Sequence, residues 1–129
     1  MRIFKTKWFA RFARKEEISD KKLSDAVQEA EKDLHDGDLG GNLIKKRVAR
    51  AGEGKRGGYR TIMVYRAGKR AVFVYGFPKS TKANLSAMEL DGYQKLAQVY
   101  LSFSDAGMAK ALSAGKLEEV NYNGEEVSE

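Results

Sequence analysis

Cysteine is absent from this 129-residue chain, and proline and histidine occur once each, as Pro78 and His35. Without cysteine there are no disulfides and no thiolate ligands, so the fold rests on packing alone. One histidine and no cysteine leave no credible zinc cluster and no cysteine nucleophile, and neither a metal nor a cofactor is expected. Long apolar runs are missing too: none approaches the roughly 18 residues that a membrane span requires. The N-terminus lacks the continuous apolar stretch of a secretory signal, because Trp8, Phe9 and Phe12 are interspersed with Arg2, Lys5, Lys7, Arg11, Arg14 and Lys15. It reads as part of the fold of a cytoplasmic protein that engages no membrane.

What is present is an ordinary globular composition, 42% hydrophobic and 33% charged, which disfavours disorder. The length suits a single domain, read as residues 1–122, followed by an acidic, fraying tail at 123–129. Net charge is a modest +6, but it is unevenly spread. Residues 45–82 carry twelve Lys or Arg against one acid, Glu53, whereas residues 83–129 carry three against eight. Solvated faces normally mix both signs, and phosphate neutralisation is the commonest use of such segregation. The blander reading is a basic sheet edge whose lysines block aggregation.

Along the chain, Arg2 to Lys5 alternates as a short strand and is followed by a helical turn whose Trp8, Phe9 and Phe12 are expected in the core. Leu23, Val27, Ala30 and Leu34 share one helical face, with Ser19 as N-cap, Gly37 as stop and His35 in the last turn. After Gly40-Gly41, residues 42–50 read as a strand with a cationic body, and the glycine-rich stretch 52–58 reads as a mobile loop. That loop lacks P-loop spacing. Tyr59 to Arg66 and Arg70 to Phe77 form a hairpin across Ala67-Gly68-Lys69, so the three strands make an antiparallel meander. Pro78 ends it. Ser86-Ala87-Met88-Glu89 has the spacing of a capping box, with Leu90, Tyr93, Ala97 and Tyr100 continuing at helical intervals. Ser104 opens a shorter helix stopped by Gly115, and residues 117–122 could add an extended segment. The fold class expected is α+β: the meander packed against N-terminal helices and a C-terminal helix.

Carboxylates fall mainly on the helices and in the tail, so a carboxylate dyad or two-metal site in the strands is unsupported. Catalysis, if any, falls to Lys, Arg and Tyr. Cleavage of RNA by its own 2′-hydroxyl fits that restriction, because the substrate supplies the nucleophile. The protein then needs a proton acceptor, cations for the charge developing on phosphorus, and help for the departing 5′-oxygen. The same cations could instead hold a phosphate backbone without cutting it. Tyr59 and Tyr65 share a strand face and could stack on bases, although such residues are more often core.

The runs Lys45 to Arg50, Gly58-Tyr59-Arg60-Thr61-Ile62-Met63-Val64-Tyr65-Arg66, and Phe73 to Lys82 together resemble the RelE/ParE superfamily, and most of all its HigB-type members, over roughly residues 1–105. The resemblance implies a RelE-like fold. It also implies a toxin of a type II toxin–antitoxin system, a ribosome-dependent endoribonuclease (mRNA interferase) that inhibits translation by cleaving mRNA in the decoding site. A cognate helix-turn-helix antitoxin and the ribosome with its mRNA would be the partners. Arg60 matches the arginine of the family's Gly-Tyr-Arg motif, which holds the scissile phosphate. Lys45 and Arg47 lie on the strand that supplies catalytic or phosphate-binding cations, and alternation sends Lys46 to the other face. Lys79 and Lys82 stand where RelE-type toxins carry an arginine. Arg60, Lys79, Lys82 and Lys45 are therefore the catalytic candidates, and Lys46, Arg47, Arg50, Lys55 and Arg56 the RNA-binding ones. Tyr93 is a loose match for the tyrosine or histidine that such toxins place near the final helix. Two alternatives stay open: a ParE-like toxin that inhibits DNA gyrase by binding, and a non-catalytic RNA-binding module.

Overall fold

Thr6 ends the first strand and caps the first helix at once. The computed structural model describes residues 1–49, 58–79 and 84–121. Strand β1 is Arg2–Thr6, and helix α1 is Lys7–Lys15. The Thr6 hydroxyl oxygen accepts from the Phe9 N–H at 3.1 Å, satisfying one of the free donors of the first turn. Phe9, Ala10 and Ala13 are buried, and Phe9 stacks on Phe73 with ring centroids 5.1 Å apart. Trp8 was expected beside them in the core, yet it is 42% exposed.

Helix α2, Asp20–Glu31, is capped by Ser19 as expected and buries Leu23, Ala26, Val27 and Ala30. It stops earlier than the spacing implied. Asp33 takes a left-handed φ of 61° and the Leu34 N–H reaches back to the Glu29 carbonyl at 2.9 Å, closing the C-terminus before Gly37. Leu34 is therefore exposed rather than on the buried face, and His35 lies outside the helix, its Nδ1 accepting from the Gly37 N–H.

Strands β2 (Gly37–Asp38), β3 (Leu43–Val48), β4 (Tyr59–Arg66) and β5 (Arg70–Pro78) follow. Then come helix α3 (Ala87–Ser102), helix α4 (Asp105–Ser113) and strand β6 (Leu117–Glu119). The sheet order is β2-β3-β4-β5-β1-β6. The antiparallel meander β3-β4-β5 is as the sequence predicts. The sheet as a whole is mixed, because β1 pairs parallel with β5, and β6 pairs antiparallel with β1. The Ser86–Glu89 capping box forms in both directions.

The sheet is covered on both faces, consistent with the α+β class expected. On one face Phe9, Ala13, Leu23, Val27 and Ala30 of α1 and α2 pack on Ile3, Ile44, Val48, Tyr59, Met63 and Phe73. On the other, α3 and α4 pack on Phe4, Leu43, Ile62, Val64, Val72 and Val74. Each fully buried side chain of this size contributes about 1.5–3 kcal/mol, so the two layers fix which strand residues point where. No helix among the described residues is long and apolar enough to cross a membrane.

Candidate nucleic-acid interface

Period-two alternation along β3 sends Leu43, Lys45 and Arg47 toward the α3 side and Ile44, Lys46 and Val48 toward α1 and α2. On β4 the same alternation places Arg60 with Ile62 and Val64 on the α3 side, while Tyr59 turns the other way. The register makes Arg47 and Arg60 direct cross-strand partners, with Phe77 of β5 on Arg60's other flank. Two like charges thus start from directly opposite positions on one face, an arrangement that is unfavourable unless an anion offsets it.

Little among the described residues supplies that anion. Arg47 Nε is 3.7 Å from Asp36 Oδ1, within ion-pair range but too long for a hydrogen bond. The other Asp36 oxygen accepts from the Arg47 backbone N–H at 2.6 Å. The Nε atoms of both Arg47 and Arg60 are buried, with no hydrogen-bond partner among the described residues. Each such donor costs about 1–3 kcal/mol while unsatisfied. Lys45 points to the same face, its Nζ donating to Asn84 Oδ1 at 2.9 Å. Lys79 is exposed in the turn after β5, its backbone N–H on the Gly58 carbonyl at 3.3 Å, just before Arg60's strand begins. Arg60, Arg47 and Lys79 therefore lie toward one end of the sheet, with Lys45 one step inward on the face of the two arginines.

A β-bulge shapes the rest. The register of β4 with β5 steps from Met63↔Phe73 to Ile62↔Tyr75, leaving Val74 as the extra residue. Beyond it, Tyr75 and Phe77 are turned to the face of Arg60, whereas regular alternation would have left them with Phe73 beneath α1. Tyr75 stacks on Tyr93 of α3 at 5.1 Å and lies 5.6 Å from Phe77. Burial, with Tyr75 and Glu89 nearby, pushes the Tyr93 phenol up to about 12. Burial thus disfavours the ionised form of the tyrosine that is a loose match for the one such toxins place near the final helix.

The whole arrangement, from β1 to the β6 edge, is matched by one family model, "RelE toxin of RelE / RelB toxin-antitoxin system", over residues 1–120. The chain belongs to the RelE toxin family. As a toxin of that kind it has an antitoxin for a partner. No curated protein matches the chain.

Within this RelE-family fold, several sequence-predicted residues fall elsewhere. Lys46, expected to bind RNA, is a correction: its side chain is 5% exposed and its Nζ pairs with Glu29 Oε1 of α2 at 2.6 Å, on the face opposite Arg60. Buried there, it cannot reach a substrate lying on the α3 side. Arg70, another cation of the basic segment, donates to the Tyr100 and Phe103 carbonyls at 2.9 Å and so caps the end of α3. Tyr59 is buried with its hydroxyl on Glu16 Oε1 at 2.9 Å, and Tyr65 bonds to Glu31, so both tyrosines serve the fold. Arg50, Lys55, Arg56 and Lys82 lie outside the described residues, as do positions 52–57 of the glycine-rich stretch, which carry two of them. Among the described residues no group of three His, Asp or Glu side chains is placed to hold a metal. Sequence reasoning missed Tyr75 and Phe77, because the bulge that aims them has no signature in the run Ala71-Val72-Phe73-Val74.

Proposed function

We propose that this protein is a cytoplasmic, HigB-like toxin that cleaves mRNA on the ribosome by attack of the 2′-hydroxyl on the adjacent phosphorus. The bond from phosphorus to the 5′-oxygen breaks, leaving a 2′,3′-cyclic phosphate and a 5′-hydroxyl. The observation that carries this reading is the Arg47–Arg60 pair, two cross-strand guanidinium groups with buried, unsatisfied Nε atoms. Both side chains are part-exposed, so a phosphate bridging the outer ends of the two guanidinium groups would relieve the repulsion between like charges, and its demand for both grows as charge develops in the transition state. Arg60 is assigned to the scissile phosphate and Arg47 to the same or the next one. Lys45, Lys79 and Lys82 supply further positive charge around the reacting phosphorus and the leaving oxygen. Arg50, Lys55 and Arg56 are assigned to the flanking backbone. Residues 1–122 are read as the one domain that does this, supported by a family match over 1–120 and one sheet running from Arg2 to Glu119.

One observation favours a second reading, RNA binding without cleavage. Burial disfavours the ionised form of Tyr93, and Asp36, the carboxylate paired with Arg47, is engaged by that residue's backbone N–H. A helix-turn-helix antitoxin presenting acidic residues to this face would silence either activity.

The experiment is induction of the wild type and of Arg60→Ala, with growth, transcript ends and DNA topology followed together. Cuts in coding regions in codon register that vanish in the variant support the proposal. Relaxed or damaged DNA with intact transcripts would point to gyrase inhibition, and neither change beside salt-sensitive RNA affinity would leave binding alone.

A further inference from the structure

Helix α1 carries four cations, Lys7, Arg11, Arg14 and Lys15, and no acid. Arg14 pairs with Glu118 at 3.4 Å, whereas Lys7, Arg11 and Lys15 have no carboxylate partner among the described residues. Trp8, Arg11 and Lys15 follow one another at spacings of three and four, so they form one exposed stripe of the helix. The tryptophan at its head is the largest side chain in the protein left 42% exposed, a position that burial alone would not select.

The ring is not loose. Trp8 lies nearly parallel to Phe12, with centroids 5.4 Å apart and planes inclined by 12°, and it meets Tyr75 at 5.0 Å. Strand β1 ends at Thr6, so beyond that point β5 has no neighbour on this side, and Trp8 wraps over its edge. Tyr75 in turn touches Tyr93 and Phe77, and Phe77 is the register partner of Arg60. A continuous aromatic path thus runs from an exposed tryptophan to the paired arginines, bordered by unpartnered cations at its outer end.

We propose that Trp8 is a stacking platform for a nucleobase of the RNA substrate, close along the strand to the phosphate held by Arg60 and Arg47, with Arg11 and Lys15 tracking the backbone beyond it. The inference rests on the RNA reading above and adds a binding residue and a direction for the strand to it. Single-stranded RNA is the occupant the charges favour. Stacking platforms set among lysines and arginines are how single strands are held, since every base offers a flat face and every linkage a negative charge. A protein partner covering Trp8 would need acids opposite Arg11 and Lys15, and it becomes an outcome of the test.

Trp8 is the sole tryptophan, so intrinsic fluorescence reports on this position alone. We expect a short single-stranded oligoribonucleotide to quench it, and an abasic ribose-phosphate chain of equal length to bind without quenching. Trp8→Ala should weaken oligonucleotide binding by about 5- to 150-fold, the range for one lost stacking contact. Its salt dependence should be unchanged because no phosphate contact is lost. Trp8→Phe should recover most of the affinity. Oligonucleotide bound with unaltered fluorescence and with full affinity in Trp8→Ala would overturn the platform while leaving the RNA reading intact. No RNA bound by the wild type would overturn both. Fluorescence that responds to the antitoxin and never to RNA would reassign the surface to the protein partner.

Discussion

The two faces of one strand treat cations in opposite ways. On the α1/α2 face of β3, Lys46 is sunk to 5% exposure and held by Glu29 at 2.6 Å. Nearby on the same face, Lys5 meets Asp20 at 2.7 Å. On the α3 face, among the described residues, Lys45 reaches a neutral amide oxygen, and Arg47, the cross-strand partner of Arg60, has one carboxylate, Asp36, at 3.7 Å. Residue type does not separate the groups, since all are Lys or Arg and Lys45, Lys46 and Arg47 are consecutive. The partner does: a cation closely matched by an acid belongs to the fold, and the less closely matched ones are those proposed to meet an anion from outside.

The largest expected effect breaks the unmatched side. Arg60→Ala should lower the cleavage rate roughly a hundredfold, on the order of 3 kcal/mol of transition-state stabilisation. Its melting temperature should hardly move, because the change removes a repulsion and an unsatisfied donor together with the charge. Arg60→Lys should restore part of the rate, since a point charge cannot reproduce the planar fork. Full toxicity in a folded Arg60→Ala protein would take Arg60 out of the site, and a collapsed melt would move it to the structural side of the comparison.

Lys46 should behave in the reverse manner. Lys46→Ala leaves Glu29 facing the core without its ammonium partner, and the loss should be about 2 kcal/mol of stability. That is less than a fully buried pair would lose, because the Glu29 side chain is 32% exposed. Lys46→Met keeps the volume but removes the same ammonium, so it should lose less than Lys46→Ala, and combining it with Glu29→Leu should bring the loss near zero. Urea midpoints of these variants, beside RNA affinity, test this: weakened RNA binding in a stable Lys46→Met protein would return Lys46 to the interface.

Gly76 links the two faces. A Cβ there would stand 2.7 Å from Phe12 Cε2 and 3.1 Å from Phe9 Cε1, so Phe12 would have to move, and Trp8 rests on Phe12. Gly76→Ala should cost about 1 kcal/mol through overpacking and shift the tryptophan emission. An unchanged melt and spectrum would show that Phe12 yields freely and that Trp8 does not depend on it.

Much of this fold was legible because local rules and tertiary packing agree. The strand bounds Tyr59–Arg66, the caps Ser19 and Ser86 and the Gly68 turn are each dictated by their own few residues. Alternation alone separated Lys45 and Arg47 from Lys46. What stayed hidden depends on residues distant in sequence. Nothing near Lys46 reveals Glu29 beneath it, nothing near Arg70 reveals the end of α3, and Trp8 reads as core because Phe9 and Phe12 beside it are. Asp33 ended α2 early through a left-handed turn that apolar spacing cannot encode, and the bulge at Val74 reversed Tyr75 and Phe77 although the strand pattern runs on unbroken to Phe77 apart from Gly76.

The smallest effect concerns a third kind of cation, matched yet exposed. Arg2 holds Glu119 with two hydrogen bonds of 2.9 Å across the β1–β6 edge, and this contact keeps the Glu119 carboxyl below its ordinary value of 4.5. A depressed folded-state value means that the contribution is present above pH 4.5 and is lost as pH falls through the folded value. The side chains are 51% and 41% exposed, so solvent screening reduces it to a few tenths of a kcal/mol. Urea midpoints of the wild type and Glu119→Gln should therefore differ slightly at pH 7 and coincide at pH 3. At pH 7 the difference should also vanish in 1 M salt, where the screening length is about 3 Å, while the loss in Lys46→Ala persists because its pair is shielded from salt. A Glu119→Gln difference that survives both acid and salt would mean that Glu119 supports the β6 edge through packing, and that exposure does not sort the matched pairs as Lys46 and Arg2 suggest.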